Sequence, residues 1–253
     1  MGIAGETYRV PPPSNPQPGS SLTLGGDPLK VLASIATISS LSRGQEIYGE
    51  MQPAEQWYRI ISGLARKCAV SISGRRRIVD FLLPGDFFGF TVRRQHAFAV
   101  EAVADDTTVA RYPRRQIEMI AKSDPELGEL LRRVGFEATS RLQARIVILG
   151  RVTAPAKVGA FLLEMAGRLS NESDVPVSEV VLPMSRYDIA DYLALSVETV
   201  SRAMTSLKLT GAITLSDRRR VRIVNRSALD NETNLTARRP HNSLAAGAAR
   251  RIA

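Results

Sequence analysis

The chain has 253 residues, enough for one large domain or two smaller ones with a core each. Apolar residues make up 44% of it, but no apolar run reaches transmembrane length. The opening "MGIAGETYRVPPPSNPQPGSS" lacks the charged-then-apolar order of a secretory signal, so the expected location is the cytoplasm, with no membrane partner. With 34 Lys+Arg against 25 Asp+Glu the formal charge is +9, a balance suited to a polyanion, and the single cysteine, Cys68, excludes a disulfide framework or a cysteine-only metal site.

Residues 1–29 are rich in Pro, Gly and Ser without an apolar period, which predicts a disordered tail. Residues 30–122 change character. Short apolar runs such as "WYRIISGLARKCAVSISGRRRIVDFLLPGDFFGF" and "AFAVEAVADDTTVARY" alternate with glycines at 63, 74, 85 and 89, and "SISGRRRIVDF" reads as a hairpin turning at Gly74. Several short strands at this spacing predict an antiparallel roll.

The period becomes helical over residues 123–151. Asp124 is placed as N-cap with Pro125 at the first helical position. Leu127, Leu131, Val134, Ala138 and Leu142 form a narrow stripe close to coiled-coil seam spacing, on a helix of about seven turns. Such a stripe predicts a homodimer seam; the alternative is packing against the chain's own roll.

Residues 152–228 read as three helices and a short hairpin. Ser185 with Asp188 has capping-box spacing, Ser196 caps the next helix, Gly211 stops it, and "DRRRVRI" forms the hairpin. On the helix "VETVSRAMTSLK", Val200, Ala203, Met204 and Leu207 share the core face. Val197, Glu198, Ser201, Arg202 and Thr205 share the opposite one. A capped helix, a tight turn, a second helix and a basic hairpin make a winged helix-turn-helix whose second helix enters the major groove of double-stranded DNA. The expected base-reading residues are Val197, Glu198, Ser201 and Arg202: Arg202 for guanine, Glu198 for cytosine and as an ion-pair partner of Arg202, Val197 for a thymine methyl. Ser185, Thr199, Lys208, Arg218, Arg219 and Arg220 are the expected phosphate contacts. Residues 229–253, with Arg238, Arg239, Arg250 and Arg251, read as a second disordered, basic tail. The fold class expected is α+β: a double-stranded β-roll, a long dimerisation helix and a winged helix-turn-helix.

The stretch "LPMSRYDIADYLALSVETVSRAMTSLKLTGAI" closely resembles the DNA-binding region of the CRP/FNR transcription regulators, with Glu198, Ser201 and Arg202 forming the FNR-like E-x-x-S-R core. "LLPGDFFGF" and "ILGR" extend the resemblance over about Leu41 to Leu229, and "GFTVRRQHAFAVEA" nearly matches a pattern of the FixK branch. The resemblance implies an activator working with RNA polymerase on microoxic-respiration, denitrification or nitrogen-fixation genes, on a palindrome like TTGAT-N4-ATCAA. One departure stands in the turn between the two helices, where many relatives have glycine and this chain has Ala194.

In that family the roll can hold a cyclic nucleotide, an iron–sulfur cluster or a haem. Phe90 stands where the ribose-binding Glu would be, and His96-Ala97 where the phosphate-binding Arg-Ser pair would be. One cysteine cannot supply four thiolates. The expectation is a regulator without cofactor or metal. The alternative is gating through haem at His96 or oxidation at Cys68, which stands near Arg66 and Lys67 but is equally suited to a buried strand position. Catalysis is not expected: His96 and His241 are the only histidines, and no phosphate loop occurs.

Overall fold

The computed structural model describes residues 27–70, 76–169, 179–217 and 219–232. It begins with a helix that the composition hid. α1 (Pro28–Ile35) starts on Asp27, whose Oδ1 accepts from the Leu29 N–H at 3.0 Å, with Pro28 in the first turn. Helix therefore crosses the boundary expected at residue 29, and the rest of that tail lies outside the described residues. One short apolar face suffices, because Leu32 is buried against Tyr112 and Ile117.

Eight strands follow: β1 (Thr37–Leu41), β2 (Glu46–Tyr48), β3 (Gln56–Ser62), β4 (Ala65–Val70), β5 (Arg76–Leu82), β6 (Phe87–Phe88), β7 (Ala99–Ala102) and β8 (Thr107–Pro113). They form two four-stranded sheets, β1-β8-β3-β6 and β2-β7-β4-β5, with antiparallel pairings. Alternation along each strand sends one set of side chains into the roll, where Tyr58, Ile60, Ala65, Leu82, Phe88 and Val109 make a common core. β4 and β5 pair as the expected hairpin, with Val70 opposite Arg76; the turn at Gly74 lies outside the described residues. Gly63 shows why that turn position excludes other residues. Its φ is +85°, and a Cβ there would sit 2.6 Å from Thr107 Oγ1.

α2 (Arg114–Ser123) leads into α3 (Pro125–Leu149), whose N-cap Asp124 accepts from the N–H groups of Glu126 and Leu127 at 3.0 and 3.1 Å. The expected seam on α3 is divided by this packing. Leu127 and Val134 are buried, and Leu131 half-buried, against Leu32, Tyr112 and Ile117 of the same chain. Ala138 is half-buried and Leu142 exposed. A narrow stripe fits an own-chain partner as well as a second copy, and α1 and α2 take its first half. The outward apolar residues are Phe136, Leu142, Ile146 and Val147, on the side of α3 rotated away from the roll.

The C-terminal lobe comprises α4 (Ala154–Leu169), β9 (Glu179–Val181), α5 (Arg186–Leu193), α6 (Val197–Leu209), β10 (Ile213–Leu215), β11 (Arg220–Ile223) and α7 (Arg226–Glu232). β10 and β11 are the expected hairpin, and β9 adds a third strand in the order β10-β11-β9. α7 runs into the expected C-terminal tail. Its Leu229 is fully buried against Gly159 of α4, where a Cβ would lie 3.3 Å from Leu229 Cδ2, a tight but not forbidden approach.

Roll and C-terminal lobe do not have wholly separate cores. Leu64, just before β4, and Cys68, Ile78 and Phe81 of β4 and β5 join Phe161, Met165 and Tyr192 in one apolar cluster. The Phe81 ring is 5.1 Å from that of Tyr192 and 6.4 Å from that of Phe161. No helix among the described residues is long and apolar enough to cross a membrane.

Candidate nucleic-acid interface

The candidate interface is built from two capped helices. At the start of α5, the Ser185 Oγ accepts from the Asp188 N–H at 3.2 Å, while Asp188 Oδ2 accepts from the Ser185 N–H at 2.9 Å, closing the expected capping box. The Ser185 hydroxyl also donates to Asp188 Oδ2 at 2.6 Å. Its proton is thus committed inside the protein, which weakens it as a phosphate donor. Tyr187, 74% exposed in the first turn of α5, was not singled out from sequence because nothing in the pattern says which way that turn faces.

α5 ends at Ala194, with φ 53° and ψ 46°, a left-handed cap. The Leu195 N–H bonds to the Ala190 carbonyl at 2.9 Å. The chain then turns directly into Ser196, whose Oγ accepts from the Thr199 N–H at 3.1 Å and starts α6. Thr199 Oγ1 sits 3.0 Å from the same hydroxyl, so this expected phosphate contact lies beside the cap.

α6 buries Val200, Ala203, Met204 and Leu207. Glu198, Ser201, Arg202 and Thr205 are exposed on the other side. Val197 departs from expectation: it is half-buried and packs on the core around Tyr192 and Leu193. Cβ atoms lean toward a helix's N-terminus, which turns a first-position side chain back onto the preceding turn. The Glu198 carboxylate is held below its usual range, first by its own backbone N–H, then by Ser196, with the positive charge of Arg202 assisting. Among the described residues no ion pair joins Glu198 to Arg202, so the guanidinium is held in place only by its stem. The first two turns of α6 therefore present an anionic acceptor and a cationic fork on the same side, facing solvent.

On the wing, Asp217 Oδ1 accepts from the N–H groups of Arg219 and Arg220 at 2.6 and 2.8 Å, shaping the tip, and these bonds hold its carboxyl below the usual range. Arg219 and Arg220 are exposed, Arg220 with its Nε 3.4 Å from Asp217 Oδ2; Arg218 lies outside the described residues. Arg222 faces Glu179 across β11–β9, at 3.8 Å. Lys208 stands exposed in the last turn of α6, where its charge complements the helix dipole at the end opposite Glu198.

The roll's two candidate sensor residues are packed away. Cys68 is buried in the apolar cluster between roll and C-terminal lobe, and burial pushes its thiol pKa up, the reverse of what a reactive cysteine needs. His96 is buried with its ring 3.7 Å from that of Tyr48, in a group with Tyr58 and Phe88, so one imidazole face is already covered. Phe90 packs on Trp57 at 5.3 Å. Neither position offers the charged or hydroxyl groups that a cyclic nucleotide's ribose and phosphate need, so the residues present do not fit that ligand.

Residues 156–232 match the Crp-like helix-turn-helix domain and residues 38–124 the cyclic nucleotide-binding domain. The chain is 40% identical over 231 residues to the nitrogen fixation regulation protein FixK of Azorhizobium caulinodans, covering 90% of this chain and 93% of that one. Against FixK of Rhizobium meliloti the identity is 34% over 192 residues, 76% of this chain and 85% of the relative. The solved structure of FixK2 from Bradyrhizobium japonicum superposes with a TM-score of 0.71 at 38% identity, over 78% of this chain and 96% of that one.

Proposed function

The chain belongs to the CRP/FNR superfamily of transcription regulators, in its FixK-like branch, and from that premise we propose that it acts as a homodimeric activator on a two-fold symmetric site of the form TTGAT-N4-ATCAA. Each α6 enters a major groove with its N-terminal turn at the base edges, Arg202 on a guanine and Glu198 on the cytosine side, while Arg219 and Arg220 reach phosphates from the wing. α3 supplies the dimer contact through Leu142 and its exposed neighbours Phe136 and Ile146. Two copies on one axis require an inverted repeat, and RNA polymerase is the partner recruited to it. The targets are genes of microoxic respiration, denitrification or nitrogen fixation.

The observation that carries this reading is the exposed Glu198–Ser201–Arg202 surface at the capped start of α6, placed there by the left-handed turn at Ala194. The packing of Cys68 and His96 supports activity without a resident sensor. The test is a gel-shift titration of the purified protein, in air and without additives, on the palindrome and on a copy with its guanines exchanged, over a salt series. Tight binding to the first alone supports the reading; equal binding to both defeats it.

A further inference from the structure

We propose that Arg66 and Arg145 are positioning residues for DNA reading: they lock α5 onto the open edge of the roll and so fix the direction in which α6 points. This rests on the DNA-reading role of α6 given above.

β5 is the last strand of its sheet, so one side of its backbone has no strand partner. It is also bulged. Ile78 pairs with Cys68 and Asp80 with Lys67, which leaves Val79 without a partner on β4. The exposed backbone groups are taken by side chains from elsewhere in the chain. The Ile78 N–H donates to Asp191 Oδ2 of α5 at 2.7 Å, and the Ile78 carbonyl accepts from Arg145 Nη2 at 2.6 Å. The Val79 carbonyl accepts from Arg145 Nη1, and that of Phe81 from Arg168 Nη2 at 2.7 Å.

Arg145, from α3, then reaches further. Its Nη2 also donates to the Tyr192 carbonyl at 3.1 Å, and its guanidinium lies over the Tyr192 ring, 4.3 Å from the centroid. One side chain thus ties the roll's edge strand to the last turn of α5, two residues before Ala194. Arg66 makes the matching tie at the other end of α5. It pairs with Asp188 through Oδ1, the oxygen that the capping box leaves free, and is braced from behind by Glu101, which also holds Arg76.

The capping box is complete without Arg66, and Phe81, Phe161 and Tyr192 already supply adhesion. Apolar contact is non-directional, whereas the Arg66–Asp188 pair and the hydrogen bonds of Arg145 each require one relative placement of α5 and the roll. A dimer whose two α6 helices must meet successive grooves needs that register.

The test uses full-length Arg145→Met and Arg66→Met proteins, each checked for folding by circular dichroism. Ser62→Cys and Ser216→Cys, both exposed positions, carry spin labels in a Cys68→Ala background, diluted with unlabelled protein so that only distances within one chain are read. The roll-to-wing distance distribution is expected to be narrow in the reference protein and broad in both variants. Affinity for the palindrome should fall about three- to thirtyfold, with the salt slope and the affinity for random DNA unchanged. If Arg145→Met does not fold, Arg66→Met, whose side chain is partly exposed, decides alone. An unaltered distance distribution with wild-type affinity overturns the proposal. Failure of the unmutated protein to prefer the palindrome would instead sink the DNA-reading role, and the distance measurement would then decide the clamp by itself.

Discussion

Replacing Ala194 by glycine should stabilise the protein without altering what it binds. At φ 53° and ψ 46° the alanine Cβ crowds its own following carbonyl, at about 1–2 kcal/mol for a residue held in that region. Glycine removes this strain but gives the unfolded chain more freedom, worth about 0.4–1 kcal/mol in the opposite direction. The methyl is exposed, so no packing is lost. The balance favours glycine by about 0.5–1 kcal/mol, which for a chain of this size is a rise of about 1–4 °C in Tm. Thermal unfolding followed by circular dichroism reads this directly, with Ala194→Val as the control that should fall, since a β-branched residue fits the left-handed region worse. An unchanged or lower Tm for Ala194→Gly would mean that the turn does not hold its residue left-handed, and the account of how α6 is aimed would go with it.

Arg202→Ala should weaken palindrome binding by about 1–3 kcal/mol and relax discrimination at the contacted guanine, as read by titrating each base variant of the site. Arg219→Ala should weaken all sequences alike and lower the slope of log affinity against log salt by about one phosphate's worth. Ile146→Asp, placing a charge on the exposed apolar side of α3, should shift the protein to monomer in analytical ultracentrifugation while its circular dichroism stays unchanged. His96 gives a pH signature: burial, then the charges of Lys67 and Arg114, holds its imidazole below the ordinary value. The unfolded chain takes up a proton near pH 6.5 where the folded one does not, so this contribution is present above about pH 6.5 and is lost as pH falls toward the folded value. Urea midpoints at neutral and mildly acid pH should show the loss, and His96→Phe, which keeps the stacking on Tyr48, should lessen it.

The parts of this fold that could be read from sequence are those governed by local chemistry. Asp124, Ser185 with Asp188, and Ser196 each cap the helix assigned to them, because a side-chain oxygen beside free N–H groups acts within a single turn. The buried face of α6 followed from period alone. What escaped depends on partners distant along the chain. The stripe on α3 gave its residues but not their occupant, since Leu127 and Val134 suit a second helix as well as they suit Tyr112 and Ile117. α1, β9 and α7 are short and become elements only through what they pack or pair with. Val197 has an ambiguous direction at a helix start. Asp188 looked fully explained by its capping box, so nothing signalled that its second oxygen meets an arginine 122 residues earlier.

The bulged edge of β5 also bears on how such a chain can be divided. With its free carbonyls and N–H satisfied by Asp191, Arg145 and Arg168, the N-terminal half is finished only when the C-terminal half is present. The two halves are therefore not interchangeable parts. A roll borrowed from a relative would need the same bulge on its edge strand and an arginine at position 66 to meet α5, so this seam should be kept as one unit even where the inside of the roll differs.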